Sequence, residues 1–113
     1  MTDTVVIARD QWAQFFDQLS EEHAGELMKM ELLDPDYGDQ IEGEGTPFQL
    51  ASYDRRNDMV IITAGISESD EPTYRRMIQH PSEIDVSVPD DGTTVVRVVG
   101  PADTTLVSFY PLA

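Results

Sequence analysis

The stretch from Glu83 to Tyr110 constrains the fold more than any other part of this 113-residue chain. Ile84, Val86 and Val88 alternate with Glu83, Asp85 and Ser87, the period of a strand with one covered and one open face. Asp91-Gly92 supplies the chemistry of a tight hairpin turn, and Thr94–Val99 returns. Gly100-Pro101 turns the chain again, so that Thr105–Tyr110 closes a three-stranded meander. One face of that meander is apolar and must be covered.

Its cover lies at the other end of the chain. Trp12, Phe15, Phe16 and Leu19 fall at i, i+3, i+4 and i+7, the stripe of an amphipathic helix. The helix runs from about Ala8 to His23, with Asp10 at the positive end of its dipole and His23 in its last turn. Gly25 suits the left-handed position that stops a helix. The stripe is read as core-facing, with Phe16 and Leu19 beneath the sheet.

The middle of the chain adds strands. Met28, Met30 and Leu32 alternate with Lys29 and Glu31. Phe48–Asp54 and Met59–Ile66 flank Arg55-Arg56-Asn57-Asp58, the pattern of a hairpin. The run Val60-Ile61-Ile62 reads as a central strand covered on both faces. Pro72 opens a short second helix with Tyr74, Met77 and Ile78 on its apolar face, and Pro81 ends it. The expected fold class is α+β: an N-terminal amphipathic helix on a curved, mostly antiparallel sheet of about five to six strands. Barrel-like closure would remove its exposed edges. The short second helix precedes the C-terminal meander, and residues 1–113 form a single domain.

Composition bounds the function. The 22 acidic residues against 7 basic ones give a net charge of -15, where small domains more usually carry roughly 2–8. The acids are dispersed, and Lys29 is the only lysine. Phosphate binding needs clustered basic side chains, so direct nucleic-acid or anionic-membrane binding is not expected. Dispersed carboxylates fit a surface adapted to high salt, where screening removes their repulsion; the rival reading is an acidic decoy for a basic nucleic-acid-binding partner. Salt is therefore expected to stabilise the fold, with carboxylate pKa values raised on average by mutual repulsion. Without cysteine there is no thiolate chemistry. The opening residues carry no basic group and no run approaches a bilayer's thickness, so the expected location is the cytoplasm.

With those elements placed, the chain resembles the bacterial domain of unknown function 5335 family. The residues that carry the likeness are Arg9-Asp10-Gln11-Trp12, Phe15-Phe16-Asp17-Gln18-Leu19-Ser20, Gly38-Asp39-Gln40, Ser52-Tyr53-Asp54, Ile78-Gln79-His80-Pro81 and Thr104-Thr105-Leu106-Val107-Ser108-Phe109. Ala8 stands where the family has a proline, and Phe48 where a leucine is usual. The resemblance implies a small stand-alone domain and brings no catalytic residues.

Candidate chemistry is sparse. The segment from Asp34 to Gly45 sets Asp34, Asp36, Asp39, Glu42 and Glu44 among glycines, the oxygen-rich pattern calcium prefers. Gly38, Asp39 and Gly45 stand where a calcium loop needs an acid, a glycine and a glutamate, so the register fails. The segment reads as a long acidic loop, and Asp34, Asp36, Tyr37, Asp39, Glu42 and Glu44 are its partner-contact candidates. Arg75, Arg76 and His80 are anion or ligand candidates, since paired arginines hold carboxylates or phosphates by bidentate bonds. The alternative is that the arginines are internal counter-charges. His23 and His80 lack an evident nucleophile or metal partner; His23 is read as a helix-end residue and His80 as a loop residue against the helix. No catalytic residue, metal ligand or cofactor is assigned. The leading expectation is a non-catalytic, soluble interaction or structural domain, with a protein partner or a homodimer. The alternative is a small-molecule binder or hydrolase with a site between helix and sheet. A deep pocket containing His80 or a buried arginine would favour the second, and a filled core with a flat apolar face the first.

Overall fold

A computed structural model describes residues 3–34, 36, 38–65, 74–88 and 92–110, with the backbone alone for residues 3, 39–44 and 74. One helix packs on an antiparallel sheet of eight strands: β1 (Asp3–Val6), α1 (Trp12–His23), β2 (Leu27–Asp34), β3 (Gly38–Asp54), β4 (Met59–Ala64), β5 (Tyr74–Gln79), β6 (Glu83–Val88), β7 (Thr94–Val99) and β8 (Thr104–Tyr110). The order across the sheet is β1-β6-β7-β8-β2-β3-β4-β5. The two end strands do not pair with one another, so the sheet is open rather than barrel-like.

The helix forms where its stripe required. A 3-10 turn at Arg9–Gln11 leads into it, and Trp12, Phe16 and Leu19 are buried along one face. Ala8 offers no side-chain cap; instead the Trp12 indole N–H donates to the Ile7 carbonyl at 2.9 Å. At the far end Gly25 takes φ 87°, and its N–H donates to the Phe48 carbonyl at 2.8 Å. The Ser20 hydroxyl fixes the helix to the sheet by donating to the Ala51 carbonyl at 2.8 Å and accepting the Ala51 N–H at 2.9 Å. Burying Phe16 completely contributes on the order of 1.5–3 kcal/mol.

The 17-residue strand β3 organises the rest. Its first part pairs with β2 and its last part with β4. The sheet therefore has a six-strand half (β1, β6, β7, β8, β2, β3) and a three-strand half (β3, β4, β5) that share this strand. Inward residues of both halves, among them Met28, Met30, Phe48, Val60, Ile62, Val96, Val98, Val107 and Phe109, form one core with the helix stripe.

Two expected elements are corrected. The second helix is strand β5, in register with β4 from Tyr74↔Ala64 to Gln79↔Met59. The spacing of Tyr74, Met77 and Ile78 suits a helix, but a short apolar run does not separate helix from strand, and β4 offered an unpaired edge. The opening of that helix at Pro72, like Ile66 and Asp91, falls outside the described residues. The acidic segment is a hairpin instead of a loop: Asp34↔Gly38 closes it, and Leu33↔Asp39, Leu32↔Gln40 and Glu31↔Ile41 extend it. Two register shifts bend β3, and Gly45 takes φ 67° beside one of them, a conformation glycine adopts without strain. β1 is an additional strand, paired with β6.

Candidate functional site

Burial decides first what the molecule can hold. The space beneath the helix, enclosed by Phe16, Leu19, Phe48, Ile62, Val96, Val107 and Phe109, has no room for a water molecule. Hollows outside are shallow, among them one of about 200 Å³ beside Phe15 and Ile7, one of about 280 Å³ between the helix and Val86 and Val88, and one of about 250 Å³ beside Ile78 and Asp103. Among the described residues no three His, Asp or Glu side chains could hold a metal ion.

One polar cluster joins three distant segments. Asp58 in the β3–β4 turn accepts from the Tyr53 hydroxyl at 2.6 Å, from Arg9 Nη1 at 3.3 Å and from His80 Nδ1 at 3.3 Å. Arg9 also donates to the Pro81 carbonyl at 3.1 Å and lies 4.4 Å over the Trp12 ring, which meets Tyr53 edge-on at 5.2 Å. The hydrogen bond from Tyr53, helped by His80 and Arg9, lowers the Asp58 pKa. The same bond raises that of Tyr53, whose ionised form would face a carboxylate. Among the described residues Asp58 and His80 are the two non-glycine residues with positive φ, 49° and 53°, and the His80 N–H donates to the Asp58 carbonyl at 2.7 Å. The cluster locks the turn after β3 to the end of β5 and to the start of the helix. The His80 imidazole is 71% exposed, and Ser82 turns instead toward the Val99 carbonyl. His23 pairs with Glu26 at 3.0 Å and stacks on Phe109 at 4.6 Å, a helix-end role.

The remaining candidates separate. Adjacent on a strand, Arg75 and Arg76 point to opposite faces and form no two-arginine clamp. Arg76 faces inward and holds Asp103 at 2.9 and 3.0 Å, while Arg75 is exposed on the outer face. Asp34 accepts the Asp36 N–H at 2.7 Å at the hairpin tip. Asp39 and Glu44 stand on the ladder and Glu42 in a bulge; Tyr37 lies outside the described residues.

The outer face of β3–β4–β5 was not singled out in the sequence. In register it forms three rows: Leu50–Thr63–Arg75, Ser52–Ile61–Met77 and Asp54–Met59–Gln79. Leu50 is 52% and Met77 49% exposed, and Ile61 and Met59 are half-buried. The signal was the outward Ile61 in Val60-Ile61-Ile62, read as a strand covered on both faces; β4 does pair on both sides, but among the described residues no element covers its outer face. The one carboxylate there, Asp54, is held in the turn by the Asn57 side chain at 2.7 Å and by the Asn57 and Arg56 N–H groups, which lower its pKa.

A family model described as "Family of unknown function (DUF5335)" matches residues 3–111. An uncharacterised protein of Aquifex aeolicus (strain VF5) is 33% identical over 96 residues, covering 85% of this chain and 81% of its own length. No solved structure matches.

Proposed function

The chain belongs to that family of unknown function, and from its geometry we propose that it is a non-catalytic protein-interaction domain, a single soluble cytoplasmic unit with an acidic surface suited to high salt. One observation carries the reading. Outside a filled core, the outer face of β3–β4–β5 sets exposed Leu50 and Met77 beside half-buried Ile61 and Met59. Contiguous exposed apolar side chains of this kind mark contact surfaces. The absence of any helix among the described residues long and apolar enough to cross a membrane is consistent with it. The Arg9–Tyr53–Asp58–His80 cluster serves as a clamp between segments, since its geometry is explained by what it ties together.

The test is affinity capture from a lysate of the native organism in high salt, comparing the wild type with Leu50→Glu. A discrete protein recovered by the wild type and lost from the variant is the expected result. Hydrolysis of generic esters or phosphoesters by the purified protein, abolished in His80→Ala, would replace this reading with the enzymatic one.

A further inference from the structure

We infer that the free edge of β5 is a strand-addition site for an extended acidic segment of a partner protein, an inference that rests on the interaction reading and names its partner. Strand β5 ends the sheet, so the edge facing away from β4 has no ladder among the described residues. Such an edge presents backbone donors and acceptors ready to pair with another chain. Alongside it runs a groove of about 250 Å³ between β5 (Arg76, Met77, Ile78, Gln79) and the β7–β8 turn (Pro101, Ala102, Asp103). The two walls are held in place: Arg76 pairs with Asp103, and a Cβ on Gly100 would stand 3.1 Å from Ile78 Cγ2, so glycine lets the turn approach.

Charge selects the occupant. On a chain of net charge -15, β5 carries two adjacent arginines. Arg75 is exposed and has no ion-pair partner among the described residues, whereas Arg76 is already paired with Asp103. A second copy pairing through β5 would add a second exposed Arg75, with no carboxylate on either strand to meet it. Size points the same way, because three strands by five residues present roughly 250 Å² from strand spacing and rise, well below the about 800 Å² per partner of a stable complex. A single extended segment fits: alternate apolar residues continue the row of Ile61 and Met77, and carboxylates meet Arg75.

The experiment titrates a fluorescein-labelled peptide of alternating glutamate and valine, with a lysine–valine control, in about 1 M KCl, where the Debye length is ~3 Å and non-site attraction is screened. Anisotropy reads binding, and amide exchange of residues 74–79 reads strand pairing. Saturable one-to-one binding of the acidic peptide, slowed exchange in β5, and affinity weakened about tenfold or more by Arg75→Glu, as loss of a charge-assisted hydrogen bond implies, are expected. Met77→Glu, also exposed, should weaken it too. No saturable binding overturns the inference, as does equal binding of the lysine peptide or binding without slowed exchange in β5. If Leu50→Glu abolishes capture of the native partner while the acidic peptide fails to bind, the edge assignment falls and the interaction reading stands.

Discussion

On the outer face of the six-strand half, Arg97 lies between Glu83 and Asp85 at 2.6–2.8 Å and Lys29 lies 3.7 Å from Glu31. On the outer face of the three-strand half, Arg75 meets no carboxylate among the described residues, and Leu50 and Met77 stand about half in solvent. The first face binds its own charges: Asp85 is only 4% exposed, and its hydrogen bond with Arg97 raises the arginine's pKa. The second face leaves the Arg75 charge unmatched; exposed apolar area does not separate the halves, because Val6, Leu27 and Tyr110 of the six-strand half are 61%, 42% and 40% exposed. Both belong to one sheet and share one core, so the difference lies in what each face has left to bind.

Variants in the core that the two halves share carry the largest expected effects. Phe16→Ala should cost about 3–5 kcal/mol, a large share of the roughly 5–15 kcal/mol that holds a domain folded. Urea unfolding followed by Trp12 fluorescence and far-ultraviolet circular dichroism should give coincident transitions; separate ones would mean that the two halves have independent cores. Ser20→Ala removes the helix staple on β3, the strand both halves share, and leaves the Ala51 N–H without its acceptor. The expected cost is about 1–3 kcal/mol, read as a lowered urea midpoint.

How much of this was legible in the sequence depends on whether the cause was local. The meander and the helix stripe were, because alternation in Ile84–Val88 and spacing in Trp12–Leu19 report directly on which face is covered. The hairpin of β2 and β3 was not: glycines and acids between Gly38 and Gly45 have poor strand propensity, and the backbone pairing of β2 overrides it. The same holds for β5, where helical spacing in Tyr74, Met77 and Ile78 lost to an available edge on β4. The clamp at Asp58 was hidden for another reason. Arg9, Tyr53, Asp58 and His80 come from separated segments, and no periodicity links them, although three of the segments that carry the family resemblance meet there.

Acid should strike the three-strand half first. Asp54 and Asp58 have folded pKa values lowered by hydrogen bonds in the β3–β4 turn. A lowered folded pKa contributes stability above the unfolded value, about 3.9 for aspartate, which is lost as pH falls through the folded value. Amide exchange at β4 and β5 should therefore accelerate below about pH 4 before that at β7 and β8, and Asp58→Asn should remove part of this acid response. The resolved carboxylate shifts run opposite to the upward average that self-repulsion implied, because short hydrogen bonds outweigh distant charges at these two sites. Salt remains the gentlest probe. Screening of the net charge should raise the thermal midpoint across a KCl series, and an unchanged midpoint between low and molar salt would remove repulsion from the account.

The comparison itself is tested most directly by measuring Arg97→Ala and Arg75→Ala side by side in urea. Arg97→Ala leaves the buried Asp85 carboxylate unpaired. Because the arginine side chain is 42% exposed, the cost should fall short of a fully buried pair, about 1–3 kcal/mol. Arg75→Ala removes a side chain with no ion-pair partner among the described residues, and should shift stability by no more than about 0.5 kcal/mol. Equal losses in the two variants would contradict the account, because Arg75 would then be committed within the fold and not left for a partner.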